Sequence, residues 1–281
     1  EGRIQMKLTF TENAQSNAID RGSLLTFEME MTPFPDHRKR TIRVWLPEEY
    51  DNVRRFPVIY MHDGQWVFRG LSSEATQDVD LALMEDGIAA IVVAIDNDEG
   101  TRGSELTPPY ERGEAGTVIR GFRTPLIEEK STTDLYADFV VHYLKPVIDE
   151  NFMTLTDAEH TCVGGISAGG SASFYMILTY PEVFSKAIVC SPGLPMFKLD
   201  WLVDMVGNYD MSKLEGHRIA FYNGDQGIDM TSVDFVMAVY RKLRERGMEN
   251  DRLMYLLDTR QSHCQEAWAK YMPELLAFLF H

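Results

Sequence analysis

A doubly wound α/β sheet, mostly parallel and with helices on both faces, is the fold class that this sequence predicts. Three observations carry it. Short continuous apolar runs recur along the chain, each closing on polar or glycine residues. Stretches with helical apolar spacing fall between those runs. One run, "TCVGGISAGGSASFYMIL" (161–178), turns from strand-like to helix-like across Gly164, Gly165, Gly169 and Gly170, where each glycine costs conformational entropy on folding.

Taken in order, "SLLTFEMEM" and "KRTIRVWLP" alternate apolar with polar residues and predict antiparallel strands towards one edge. "FPVIYMHDG" has no such alternation, which predicts a strand buried on both faces with its carboxyl end opening into a loop. The same pattern returns in "GIAAIVVAIDND", "HTCVGGIS", "FSKAIVCSPG", "RIAFYNGDQG" and "RLMYLLDTRQSH". Between them, Leu135, Phe139, Val140, Tyr143, Leu144, Val147 and Ile148 recur at helical spacing, and Pro146 is expected to bend or break that run. A second helix is expected over 169–180, stopped before Pro181. A third starts at a Thr231 or Ser232 cap and closes with basic residues before Gly247. The last, "CQEAWAKYMPELLAFLF", carries Pro273 and should be kinked or split there. The segments 96–131 and 192–217 read as long loop insertions in a single domain spanning 1–281. Both follow strands at the edge that carries Ser167, so both are candidates to wall a pocket.

Composition narrows the function classes. A net charge of −16 lacks the basic footprint of a nucleic-acid binder. No run approaches the ~20 apolar residues of a membrane span. Cys162, Cys190 and Cys264 form no CxxC motif or Cys/His cluster, which speaks against zinc and against disulfide stapling. That usage leans towards a reducing, cytoplasmic compartment. The start at Glu1, without Met, is also compatible with a secreted or periplasmic protein whose signal peptide was removed.

The chemistry gathers at the strand ends. Gly165-Ile166-Ser167-Ala168-Gly169 matches the G-x-S-x-G nucleophile elbow, and its strand-before, helix-after setting gives the match weight. A serine hydroxyl needs a base, expected late in the chain after a terminal strand. His263, among seven histidines, holds that position. The acid that orients the imidazole comes from Asp225 or Asp229 after "IAFYNG". Asp229 is favoured because its distance from the strand leaves the loop room to fold back, with Asp258 the third candidate. "YMHDGQWVF" offers the oxyanion loop: Gly64 permits close approach, and the main-chain N–H of Gln65 is expected to donate alongside that of Ala168. His62 and Asp63 are expected to shape this turn by hydrogen bonding. Arg102, Arg112, Arg120 and Arg123 stand out in an acidic protein, and arginine suits carboxylate, phosphate or aromatic groups.

With these stretches assembled, the chain resembles the putative-esterase family of α/β-hydrolases, which includes esterase D-like, feruloyl, acetyl-xylan and enterochelin esterases. The likeness runs from about residue 40 to the end. It rests on "PVIYMHDGQWVF", "AIVVAIDN" with "RGSELTPP", the nucleophile region with its S-x-G-G pattern, and "SHCQEAWAKYMPELLAFLF". The resemblance implies an α/β-hydrolase fold, Ser167 as nucleophile, His263 as base, Gln65 and Ala168 as oxyanion donors, Arg102 and Gly64 at the substrate, and no metal or cofactor. Gly227 stands where the family usually has its acid, between Asp225 and Asp229. The implied activity is Ser-His-Asp ester hydrolysis on polar or aromatic acyl esters of small molecules or carbohydrates. A trilactone siderophore esterase and a non-catalytic binding protein with the same fold are the alternatives.

Overall fold

The computed structural model describes residues 11–12, 21–72, 74–114, 117–123 and 130–281. Among them, nine strands form one sheet. In chain order these are β1 (Thr11–Glu12), β2 (Ser23–Glu30), β3 (Lys39–Leu46), β4 (Val58–His62) and β5 (Ile91–Ile95). A two-residue pair, β6 (Val118–Ile119) and β7 (Phe122–Arg123), forms a separate hairpin. The main sheet continues with β8 (Thr161–Ile166), β9 (Lys186–Cys190), β10 (Arg218–Gly224) and β11 (Leu253–Asp258). Its spatial order is β1-β2-β3-β5-β4-β8-β9-β10-β11. The alternating segments pair antiparallel as β2 and β3, and β3 pairs antiparallel with β5. From β5 to β11 every pairing is parallel. All the parallel strand ends therefore open on the same edge, where an open α/β sheet gathers its ligands.

Period-two geometry sorts the apolar strand residues into two cores. Val58 and Tyr60 of β4, Val93 of β5 and Val163 of β8 face one side; Ile59, Met61, Val92 and Cys162 face the other. The first side is covered by a helical run over 133–151, by α5 (Ala168–Thr179), α6 (Leu199–Asn208) and α7 (Val233–Glu245). The second is covered by α1 (Val79–Glu85) and α8 (Gln265–Phe280), which pack on each other. β11, expected to be buried on both faces, is an edge strand of the sheet, and its four central residues are half-buried.

Three local expectations are revised. The run over 133–151 does not break at Pro146. It passes from α3 (Thr133–Asp138) through a wider π-helical segment at Phe139–Leu144 into α4 (Lys145–Asn151). Lys145 N–H reaches back five residues to Val140 O, and Pro146, with no N–H to place, falls in the first turn of α4. Pro273 does not split α8, which stays one helix because Trp268, Met272, Leu275 and Leu279 hold its buried face on the core. Ser232 does precede α7, but its hydroxyl makes no cap and donates to Pro192 O at 3.1 Å. The two insertions also carry regular structure: 96–131 contains α2 (Arg102–Leu106) and the β6–β7 hairpin, and 192–217 contains α6. Glu105 of α2 pairs at 2.7 Å with Arg40 of β3, both buried, and this pins the start of the first insertion to the sheet.

His62, the last residue of β4, is fully buried, with Nδ1 2.8 Å from the Tyr136 hydroxyl. Burial lowers its pKa to about 4, against a weaker upward pull from the Asp63 charge. An unfolded histidine takes up a proton near pH 6.5, so between that pH and about 4 the unfolded chain binds a proton that the fold refuses. Stability therefore falls as pH drops through this window, by about 3 kcal/mol in all from this group. His62→Gln should remove that component. Urea titrations at pH 7, 5.5 and 4.5 should show the variant losing less stability with acid than the wild type, and parallel pH profiles would contradict the assignment.

Candidate active site

Ser167 joins β8 to α5 in a backbone conformation of φ 59° and ψ −121°, which L-residues rarely adopt. The glycines beside it make room for that turn. A Cβ on Gly165 would stand 2.6 Å from the Gly169 main chain, and one on Gly170 would stand 2.7 Å from Cys190 O. The elbow is also tied to the neighbouring strand, because Ser167 N–H donates to Cys190 O at 2.9 Å. Ala168 opens α5, where helix geometry leaves the main-chain N–H without an intrahelical acceptor.

The carboxylate nearest His263 is that of Asp229: its Oδ1 lies 2.6 Å from His263 Nδ1. Asp229 is 1% exposed, so its charge needs internal partners. Its Oδ2 accepts from the Ser191 hydroxyl at 2.8 Å and from Gly224 N–H at 3.1 Å. The Ser191 oxygen in turn accepts from Trp268 Nε1 at 2.9 Å, and the Trp268 ring meets the His263 ring edge-to-face at 4.8 Å. A carboxylate only accepts, so this geometry puts the imidazole proton on Nδ1 and leaves the Nε2 lone pair free to act as a base. Asp225 is spent on the turn, where it accepts from Gln226 Nε2 at 2.6 Å. Asp258 bonds the Tyr271 hydroxyl and Arg260 N–H, and these contacts hold its carboxyl below the usual range.

Around β4, Asp63 grips Arg102 through both oxygens, to Nε at 2.8 Å and Nη2 at 2.7 Å. Burial alone would lower the Arg102 pKa, but the hydrogen bond and charge of Asp63 outweigh it and hold the guanidinium firmly protonated. The fork expected to meet a substrate is thus already engaged. Gly64 and Gln65 form a short 3-10 turn, and a Cβ on Gly64 would stand 2.7 Å from an Asp96 oxygen. The Gln65 side chain accepts from Asn97 N–H at 3.0 Å. Neither Gly64 nor Gln65 lines the two cavities that flank Ser167.

The first of those cavities, of about 240 Å³, brings together Ser167, Ala168, Asp229, His263 and Arg102. Its apolar wall is Pro195, Met196 and Ile228, and Arg123 of β7 borders it as well. The second, of about 230 Å³, shares Ser167, His263 and Arg102 with it. Of the other arginines, Arg112 lies over the Phe197 ring at 5.2 Å and Arg120 pairs with Asp234 at 2.9 Å. A serine hydroxyl on a strained turn, an imidazole held by a buried carboxylate and a helix N-terminus beside them are the groups that acyl transfer requires.

A parallel sheet with this elbow between its strand and helix defines an α/β-hydrolase. Residues 37–276 match the family described as "Putative esterase", and the chain belongs to that family. It is 25% identical over 191 residues to an endo-1,4-beta-xylanase/feruloyl esterase of Xylanibacter ruminicola, over 63% of this chain and 23% of that protein. The chain therefore corresponds to about a quarter of that relative's length. Among solved structures, the enterobactin and salmochelin hydrolase IroE superposes with a TM-score of 0.71 at 14% identity, over 96% of this chain and all of that one. A ferulic acid esterase superposes with a TM-score of 0.64 at 17% identity, over 92% of this chain and 98% of that one. At these identities the two structures establish a shared fold.

Sequence reasoning missed Ser191. It sits just past β9 at φ 41°, in a "CSPG" turn that resembles any strand-ending loop. Its hydroxyl joins Trp268 to Asp229. Ser191→Ala should strand the Trp268 N–H and remove one partner of a buried carboxylate, at a cost of about 1–3 kcal/mol. Chemical denaturation measures this directly; a change within about 0.5 kcal/mol, the range of an ordinary surface substitution, would mean that the bridge has no structural weight.

Proposed function

We propose that the protein hydrolyses carboxylic esters by a two-step acyl transfer with Ser167 as nucleophile, His263 as base and Asp229 as the orienting acid. The observation that carries this reading is the 2.6 Å contact between His263 Nδ1 and a fully buried carboxylate, beside a cavity that also holds Ser167. His263 takes the Ser167 proton as Oγ attacks the carbonyl carbon. The main-chain N–H of Ala168, at the start of α5, donates to the developing oxyanion. The imidazolium, stabilised by Asp229, then protonates the leaving alcohol. Water deprotonated by the same histidine releases the acid and restores Ser167.

The substrate class we propose is a polar or aromatic acyl ester of a carbohydrate. The partial likeness to a feruloyl esterase supports it, as does a pocket that combines an apolar wall with the exposed Arg123. A panel of feruloyl-sugar, acetyl-sugar, trilactone and octanoyl esters, scored by kcat/KM, should favour one of the sugar esters over the octanoyl ester by at least an order of magnitude. A trilactone winning the panel would move the substrate to siderophores, and an octanoyl ester winning it would contradict the polar reading.

The mechanism has its own test. A fluorophosphonate should add once to the wild type and not at all to Ser167→Ala. Asp229→Asn should lower kcat by roughly 10⁴-fold with the fold intact, whereas Asp225→Asn should stay within about tenfold. Labelling that persists in Ser167→Ala, or the reverse order of the two aspartate variants, would overturn the assignments. A wild type that takes no label would fit a binding protein.

A further inference from the structure

Ser167 and His263 stand between two cavities of nearly equal size and different chemistry. One has the apolar wall of Pro195, Met196 and Ile228. The other is lined by Trp66, Gln77, Gln265 and Trp268 together with the Asp63–Arg102 pair. An ester has two halves joined at the carbonyl that is attacked, and a recess on either side of the nucleophile can hold one half each. We infer that the second cavity is the alcohol subsite, that it takes a polyhydroxylated alcohol of the sugar class, and that Gln77 and Gln265 determine specificity there. This rests on the proposed ester hydrolysis and assigns the two halves of its substrate.

Gln77 points most directly to a polar occupant of this recess. It is 1% exposed, and among the described residues its side-chain oxygen is buried without a hydrogen-bond partner. Its main-chain N–H donates to Trp66 O at 2.8 Å, which holds it against another residue that lines the same recess. Gln265, the first residue of α8, likewise has a buried oxygen without a partner. Buried amides are normally satisfied, and an oxygen that is neither hydrogen-bonded nor open to water becomes available to a ligand hydroxyl once its amide turns towards the recess. Rotation of a terminal amide presents either its oxygen or its NH₂, so it can meet a hydroxyl as acceptor or donor. Two such amides beside an indole suit a ring that carries hydroxyls at its edge and C–H groups on its faces.

The chemistry fits that placement. The bond from Ser167 Oγ to the acyl carbon forms, and the carbon–alkoxide bond breaks. The Ser167 proton passes through His263, which borders both cavities, to the alkoxide oxygen, and the alcohol leaves on the Gln77 side. The acyl group stays against Pro195, Met196 and Ile228.

The test uses two esters with one acyl group, methyl ferulate and feruloyl arabinose. The quantity read is the ratio of their kcat/KM values. The wild type should favour the sugar ester by about tenfold or more, and Gln77→Leu and Gln265→Leu should each lower that ratio by about tenfold. Gln265 is only half-buried, so its variant answers if the Gln77 variant fails to fold. A ratio unchanged in both variants, whatever happens to the absolute rates, overturns the inference, as does a wild-type ratio near one. In both cases ester hydrolysis itself stands. Turnover of neither ester, with no fluorophosphonate adduct, removes the parent reading and this one together.

Discussion

A carboxylate buried at 1% exposure is tolerated only where fixed donors surround it, and the site is organised around meeting that demand at Asp229. The donors come from different parts of the chain. Ser191 lies just past β9, Gly224 ends β10, and His263 stands two residues before α8. Trp268, inside α8, reaches the carboxylate through Ser191. One charge thus brings two strand ends and the start of the last helix to a common point. Gly224 shows how tight the convergence is, because a Cβ there would stand 2.3 Å from Gln261 O and 3.0 Å from Asp229 itself.

The second constraint is steric and lies on the other side of the cavity. The elbow at Ser167 holds an unfavourable backbone conformation because β8, α5 and β9 approach more closely than any side chain at Gly165 or Gly170 would allow. Parallel pairing places the ends of β4, β8, β9 and β10 side by side. Serine, histidine and the buried aspartate can therefore converge although 96 residues separate Ser167 from His263. The fold supplies the convergence, and the glycines keep it open.

Much of this was legible in the chain. Strands buried on both faces announce themselves as unbroken apolar runs, and Ser167 and His263 lie where the strand–helix alternation ends in chemistry. The choice between Asp225 and Asp229 was not legible with the same force, because it depends on how a 3-10 turn at Gly227–Thr231 folds back, and periodicity carries no information about such a turn. Ser191 and Gln77 lie outside any motif; their importance comes from neighbours 38 residues or more away, or from a cavity formed by distant loops. The break at Pro146 and the split at Pro273, which the proline rules allowed, are absent for a related reason. Local propensity was weighed without the packing that holds both helices on the sheet.

The hydrogen bond between His263 and Asp229 is open to direct observation by proton NMR. A histidine Nδ1 proton shared with a buried carboxylate resonates downfield of the amide envelope. Such a signal should appear in the wild type, persist in Asp225→Asn and vanish in Asp229→Asn while the remaining spectrum stays folded. Its absence from a folded wild type, or its survival in Asp229→Asn, would contradict the account.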